Sequence, residues 1–400
     1  MAKDKQAHIG IFGRRNYGKS TLINKLADQE IAIVSKIPGT TTDPVKKSFE
    51  ITGFGPVVLV DTAGFDDEGE LGKKRTEKTR KTIRQIDLAI LLISNNRLDQ
   101  PELQIIEKFK QNDVPFIVVY SKSDLFAPMA SIKAKAISLG CADFLVFNKD
   151  MDVNPLIQSI TRCIPESAYV NPSLLGGLIQ HNDIVLLITP IDTEAPAGRL
   201  ILPQVQAIRD VIDNHAVCIV LKETAVDAFL KNTGIVPALA ITDSQVFLKA
   251  DTSLPRDIPL TSFSILLAHY KGDFATYLKG TPQLSELKEG DKILLLESCT
   301  HQVSCEDIGR HKIPQWIRDF TGKQHTFDVV SGFDNLPHPI NSYALVIQCG
   351  GCMISPKQLI NRLKPAIDAG IPVTNYGMAI AYLLGIYERA IAPFVQVKKK

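Results

Sequence analysis

The 400-residue chain carries almost no net charge: 45 lysines and arginines stand against 43 aspartates and glutamates, a formal balance of +2. Composition therefore offers no bulk electrostatic case for nucleic acid or anionic lipid as a partner, and the terminal Lys398-Lys399-Lys400 reads as a solvated tail. No apolar run approaches the roughly 20 residues that span a bilayer; the strongest, such as Leu88–Ile93, are strand-length. The opening segment Met1–His8 lacks the apolar core of a signal peptide. The expectation is a cytoplasmic protein with neither membrane nor nucleic acid as partner. The 7 cysteines are odd in number and uneven in spacing, which argues against a disulfide framework. No repeat of fixed period and no low-complexity segment is present. What remains is an apolar content of 45%, ample for ordinary cores, and a length that suits two or three domains of roughly 150 residues.

Three blocks follow one another. In the first, apolar runs at Ile9–Phe12, Val57–Val60, Leu88–Ile93 and Phe116–Tyr120 predict buried strands. They alternate with amphipathic stretches at Leu22–Ala27, Lys73–Arg84, Glu102–Lys110 and Ile132–Leu139. Such alternation predicts a doubly wound, mostly parallel α/β sheet over residues 1–165. Two prolines, Pro165 and Pro172, place a linker at 166–179. A small α/β unit is predicted over 180–262, with strands at Ile184–Ile188, Val217–Leu221 and Ala238–Thr242 and a helix at Pro203–Ile212. It shows no catalytic cluster: Asp192, Glu194 and Arg199 read best as a solvated loop. Residues 263–400 form a further α/β block, opening on one long helix at Ser262–Lys279 and closing with helices at Pro356–Ala369 and Gly377–Ala390. Its strands are predicted at Ile293–Leu296, Phe327–Val330, Ala344–Ile347 and Pro372–Thr374.

The first block carries a complete phosphate-binding loop, Gly13-Arg-Arg-Asn-Tyr-Gly18-Lys19-Ser20, between a strand and a helix. Glycines let backbone N–H groups approach phosphate oxygens, and the helix dipole meets the same charge. Lys19 is placed for the β- and γ-phosphates, Ser20 for Mg²⁺, and Thr21 follows on the helix. Asp61 ends an apolar strand, in position to hold the Mg²⁺ shell, and Gly64 offers a backbone N–H to the γ-phosphate. The block resembles the GTPase superclass that includes the tRNA-modification and ribosome-assembly GTPases. That resemblance makes Thr41, in Gly39-Thr-Thr-Thr-Asp43, the switch residue that senses Mg²⁺ and γ-phosphate. It makes Asn16 a K⁺ ligand of the kind seen in potassium-stimulated members, and Lys122 and Asp124 the guanine-reading pair. Three positions depart from the pattern. Phe65 stands where a Ras-like protein has its water-orienting glutamine, which predicts slow hydrolysis; Ser121 replaces the asparagine of Asn-Lys-x-Asp; and no Ser-Ala motif is evident near Val146–Lys149.

Far from this loop lie Cys299-Thr-His301 and Cys349-Gly-Gly-Cys352, with Cys299 and Cys349 each following a predicted strand end. In a parallel sheet such positions converge on one crevice. The residue types suit either a structural zinc site of three cysteines and one histidine or a 4Fe–4S cluster held by three thiolates. Cys305, Glu306 and Asp307 are further candidates for a fourth ligand, whereas Cys141, Cys163 and Cys218 read as small buried residues.

A GTPase block, a middle unit containing Glu194-Ala-Pro-Ala-Gly-Arg199-Leu-Ile-Leu-Pro-Gln, and a final Cys-x-His…Cys-x-x-Cys block together resemble the iron-only hydrogenase maturation GTPases, the HydF family. The resemblance covers essentially the whole chain. It implies a homodimer built through the middle unit and a 4Fe–4S cluster on Cys299, Cys349 and Cys352, with Glu306 or His301 as fourth ligand. It implies a scaffold that takes a di-iron precursor from radical-SAM maturation enzymes and delivers it to apo-[FeFe]-hydrogenase. The radical enzymes' own Cys-x3-Cys-x2-Cys motif is absent here. The family commonly has histidine directly before its Cys-x-x-Cys, where this chain has Gln348. The rivals are an RNA-directed GTPase, which a near-neutral charge does not favour, and a zinc-stabilised regulatory GTPase.

Overall fold

The computed structural model describes residues 6–27, 33–37, 45–51, 54–62, 79–168, 172–190, 200–298 and 308–395. They fall into two compact units, Met1–Asn171 and Pro172–Lys400.

The first unit is a seven-stranded sheet. Its strands are β1 (Ala7–Gly13), β2 (Ile33–Ile37), β3 (Val45–Ile51), β4 (Gly55–Asp61), β5 (Leu88–Ile93), β6 (Phe116–Tyr120) and β7 (Asp143–Val146), in the order β2-β3-β4-β1-β5-β6-β7. In that order the five strands from β4 to β7 are mutually parallel, while β2–β3 and β3–β4 are antiparallel, so the sheet is mixed. Every residue of β5 is buried, as expected for a central strand covered on both faces. The covering helices include α1 (Lys19–Ala27), α2 (Gln100–Gln111), α3 (Ala130–Ser138) and α4 (Asn154–Cys163). The predicted helix Lys73–Arg84 lies partly outside the described residues; 79–83 are helical. Two apolar layers sandwich the sheet. On one face Ile9, Ile11, Leu59 and Ile90 meet Leu22 and Ile160; on the other Phe12, Leu91 and Val118 meet Phe109 and Ile132.

The second unit holds two all-parallel four-stranded sheets. One contains β8 (Ile184–Ile188), β9 (Val217–Leu221), β10 (Leu239–Thr242) and β11 (Leu260–Ser262) in the order β11-β10-β8-β9. The other contains β12 (Lys292–Glu297), β13 (Thr326–Ser331), β14 (Leu345–Gln348) and β15 (Val373–Asn375) in the order β13-β12-β14-β15. Both have the same doubly wound order, in which the chain reverses direction across the sheet between its first and third strands. Helices α5 (Leu202–Asp213), α6 (Val226–Thr233) and α7 (Phe247–Ser253) belong to the first of these sheets. Helices α8 (Phe263–Lys271), α9 (Phe274–Gly280), α10 (Ile313–Thr321), α11 (Pro356–Asp368), α12 (Tyr376–Leu383) and α13 (Tyr387–Val395) follow. One apolar core runs through both, from Leu186 and Ile241 through Leu266 to Leu294, Val346 and Phe394.

Two single helices expected from the sequence are each two helices. Ser262–Lys279 breaks at Gly272, where the Tyr277 ring occupies the space a Cβ would need, and Asp273 restarts the chain by accepting from the Thr276 N–H. Gly377–Ala390 breaks at Gly385, whose φ of +73° a helix cannot hold. Among the described residues no helix is long and apolar enough to cross a membrane.

Candidate functional sites

The phosphate-binding loop joins β1 to α1 as the motif requires. Gly13, Asn16 and Gly18 all have positive φ, at +157°, +62° and +88°. Positive φ at such positions is what lets backbone N–H groups close round an anion. The left-handed backbone by itself selects Asn or Gly at position 16. Lys19 Nζ arches back over the loop and donates to the carbonyls of Gly13 and Arg14, each at 2.8 Å. Ser20 and Thr21 are exposed in the first turn of α1.

Two braces hold this loop, and neither is evident from the motif. Arg14 donates to both carboxylate oxygens of Glu102 at 2.6 Å, and Glu102 is fully buried on α2. That hydrogen bond raises the guanidinium above its ordinary range. Ser121, at the end of β6, donates its hydroxyl to the Tyr17 carbonyl at 2.7 Å. The residue at 121 thus ties the loop after β6 to the phosphate loop through its hydroxyl. Lys122 follows at φ +55°, and Asp124 is exposed beyond it. Phe147 and Asn148, which follow β7, pack onto Ser123 through the contacts Ser123 Oγ to Phe147 O and Asn148 Nδ2 to Ser123 Oγ. The loops after β1, β6 and β7 therefore gather at one end of the sheet. A cleft of about 210 Å³ opens there, bounded by Arg15, Asn16 and Tyr17, by Ser94 and Arg97, and by Lys122 and Phe126. Its three basic side chains suit a polyphosphate. Asp61 ends β4 in register with Ile11, and the next residue, Thr62, donates its hydroxyl to the Ile11 carbonyl at 2.6 Å. Asp61 is thereby carried to the phosphate-loop end of β1. Thr41, Gly64 and Phe65 lie outside the described residues.

The second site lies at the switch point of the third sheet. β12 and β14 are adjacent and parallel, with Leu296 opposite Gln348. The Cys349 N–H continues this ladder to the Leu296 carbonyl at 2.9 Å, and the Ser298 N–H points at Cys349 Sγ from 3.1 Å. Ser298 directly precedes Cys299, so the two cysteine-bearing loops leave neighbouring strand ends. Cys299, His301, Cys305, Glu306 and Asp307 themselves lie outside the described residues. Among the described residues no three of His, Cys, Asp and Glu converge as a metal site. Cys141, Cys163 and Cys218 are half-buried rather than buried.

Cys349, half-buried, is surrounded by Ser298 and Gln348. Burial pushes its thiol up, and the hydrogen bond with Ser298 opposes that shift. Gln348 is fully buried; its Nε2 donates to Ser298 Oγ at 3.0 Å and reaches Cys349 Sγ at 3.4 Å, while its Oε1 has no hydrogen-bond partner among the described residues. A buried amide oxygen left unmet is costly, which fits a site that completes itself around a further group. Gly351, at φ +66°, makes the turn that returns half-buried Cys352 to the same region. Arg362 of α11 donates to the Glu297 carbonyl at 2.6 Å and to the Val330 carbonyl, tying together the ends of β12 and β13. Burial lowers its guanidinium, and Cys349 counters this. Glu297, nearly fully buried, pairs with Arg310 at 3.0 Å, so one ion pair joins the described residues on either side of 299–307. The thiols and their surroundings fit an iron–sulfur cluster or another soft metal centre.

Three family models match the chain. Residues 8–122 match a 50S ribosome-binding GTPase, 174–272 a hydrogen maturase F dimerization domain, and 275–393 a hydrogen maturase F tetramerization domain. The curated relatives include the tRNA modification GTPase MnmE of Nitrosospira multiformis, 38% identical over 118 residues, which are 29% of this chain and 26% of that protein. MnmE of Aliarcobacter butzleri is 33% identical over 165 residues, 40% of this chain and 35% of that protein. The chain thus spans well under half the length of these relatives. Among solved structures, Aquifex aeolicus Era bound to GDP and AlF4⁻ is similar at 17% identity and a TM-score of 0.35, covering 55% of this chain and 93% of that one.

Proposed function

The chain belongs to the hydrogen maturase F family, and from that premise we propose that it is a GTP-binding scaffold that carries a 4Fe–4S cluster and a di-iron precursor. It delivers the precursor to apo-[FeFe]-hydrogenase after receiving it from radical-SAM enzymes. The observation that carries this reading is half-buried Cys349, at the switch point of the third sheet beside the strand end that leads to Cys299. Cys299, Cys349 and Cys352 hold the cluster in this proposal, and Glu306 or His301 is its fourth ligand. A bound cluster supplies an iron corner with an exchangeable ligand. Gln348 and Ser298 orient the Cys349 sulfur, and Arg362 and the Glu297–Arg310 pair fix the loop bases.

At the other site, GTP binds the Gly13–Thr21 loop, Lys122 and Asp124, with Mg²⁺ on Ser20, Thr41 and Asp61 and K⁺ on Asn16. Lys19 and the Gly64 N–H meet the γ-phosphate. Hydrolysis is slow because Phe65 cannot orient water, on the unassisted scale of roughly 10⁻⁴ to 10⁻² s⁻¹. The testing experiment is metal analysis of anaerobically purified protein alongside GTP turnover in K⁺ and Na⁺. Iron with sulfide, a brown colour and faster turnover in K⁺ are expected. A colourless zinc protein would discard the cluster, and equal rates in the two salts would discard Asn16 as a K⁺ ligand.

Self-association fits the edge strand β9. Its five residues Val217-Cys-Ile-Val-Leu221 are all apolar, yet Val217 is 50% and Val220 40% exposed, and β9 has a strand neighbour on one side only. On the helix packed beside it, Val205 and Ile212 are also exposed. An apolar, unpaired edge is a template for pairing with another chain. A double replacement, Val217→Lys with Val220→Lys, is expected to halve the mass seen by light scattering while leaving GTP turnover unchanged. A dimer of undiminished mass would place the interface elsewhere.

A further inference from the structure

Helix α8 lies within the stretch matched by the dimerization model, yet both of its ends hold the cysteine turn of the next domain. At its carboxyl end Lys271 is 2% exposed, and its Nζ donates to the carbonyls of Gly351 at 3.1 Å, Cys352 at 3.4 Å and Ile354 at 3.0 Å. Near its amino end Ser264 donates its hydroxyl to Asn375 Oδ1 at 3.1 Å and accepts from the Gly377 N–H at 3.1 Å. Asn375 Nδ2 in turn donates to the Gln348 carbonyl at 3.3 Å. One helix therefore reaches both sides of Cys349-Gly350-Gly351-Cys352, directly through Lys271 and by way of Asn375 from Ser264. Ser264 and Leu267 also lie against Gly350.

A lysine buried this deeply needs its charge satisfied, since an unsolvated ammonium is costly. Here the ammonium reaches three carbonyls of the turn. A 4Fe–4S core bound by three thiolates is anionic, and its potential follows local charge and hydrogen bonding. We propose that Lys271 is a positioning residue for the cluster, holding the Cys349–Cys352 turn and favouring the cluster's reduced state by its charge. The inference rests on the reading of Cys349 and Cys352 as cluster ligands. Through α8 it makes the dimerisation domain part of the cluster's own surroundings.

The test uses full-length protein with three variants, Lys271→Met, Lys271→Gln and Lys271→Arg. Methionine removes charge and donors, glutamine removes charge while keeping two donors, and arginine keeps the charge. Amide exchange of residues 349–354 is read in cluster-free protein, and the midpoint potential in cluster-loaded protein, with far-UV circular dichroism and amide exchange of the remaining strands of residues 172–400 as the control for folding. Exchange across Gly351–Ile354 is expected to quicken tenfold or more in Lys271→Met. Reduction is expected to become at least tenfold less favourable in Lys271→Gln, a fall of about 59 mV for a one-electron couple, and to return to within threefold of wild type in Lys271→Arg. Wild-type exchange and wild-type potential in the glutamine variant together with wild-type exchange in the methionine variant would overturn the proposal. If Lys271→Met does not fold, the potentials of the other two variants decide it. If wild-type protein takes up no cluster, the cluster reading fails, and exchange in cluster-free protein still decides whether Lys271 holds the turn.

Discussion

Replacing Cys349 by serine is expected to strip most of the cluster iron from the protein and to stop activation of apo-[FeFe]-hydrogenase, with GTP turnover unchanged. The Cys349 sulfur accepts from the Ser298 N–H and from the buried Gln348 amide, and its thiol donates to Ser298 Oγ. A serine oxygen there is too hard a donor for iron–sulfur ligation and carries its proton at neutral pH. Loss of a ligand should exceed the roughly 10–100-fold in affinity that changes to supporting groups cost. Cys352→Ser and Cys299→Ser should behave alike, because each takes one of the three thiolates proposed to hold the cluster. Turnover persists because the phosphate loop belongs to the other compact unit. Iron content, hydrolysis rate and hydrogenase activation are measured on the same three variants. Full iron loading with normal activation in any of them removes that cysteine from the site, and loss of hydrolysis in all three would mean that the two units do not act separately.

The parts of this protein legible in its sequence are those written in contiguous residues. Strands buried on both faces, such as Leu88–Ile93, appear as unbroken apolar runs. The phosphate loop is legible because close backbone approach to phosphate demands glycines at fixed spacing, and positive φ at Gly13 and Gly18 is the structural form of that demand. Strands β2 and β3 escaped such reading, since Val45-Lys-Lys-Ser-Phe-Glu-Ile51 has no apolar run and pairs antiparallel at the sheet margin. The helix breaks at Gly272 and Gly385 escaped it too: a lone glycine inside a helical pattern is often tolerated, and here a distant ring or a left-handed turn decides. Groups that act across long separations carry no local signal. Ser121 meets Tyr17, Arg14 meets Glu102, and Lys271 meets Gly351 only once the chain is folded. Ser121 shows what a motif read residue by residue leaves out: its departure from asparagine is visible in the sequence, whereas the bond from its hydroxyl to the Tyr17 carbonyl is visible only in the fold.

Lys19→Ala is expected to lower GTP turnover by roughly 10²–10³-fold, the scale on which removal of one preorganised transition-state donor is felt. The ammonium has two tasks. It spans the loop, 2.8 Å from the carbonyls of both Gly13 and Arg14, and it presents positive charge where the β- and γ-phosphates lie. Alanine removes both. Arg14 cannot substitute, because its guanidinium is committed to the buried carboxylate of Glu102. Lys19→Arg should recover little, since a planar fork does not fit over the same two carbonyls as a compact ammonium does. Ser20→Ala acts differently: it removes the proposed Mg²⁺ ligand, so its loss should shrink as Mg²⁺ is raised, whereas that of Lys19→Ala should not. Single-turnover hydrolysis at saturating GTP, measured across a Mg²⁺ series, separates the two. Cluster iron should stay at the wild-type level in both variants. Turnover within threefold of wild type in Lys19→Ala would show that hydrolysis does not occur at this loop.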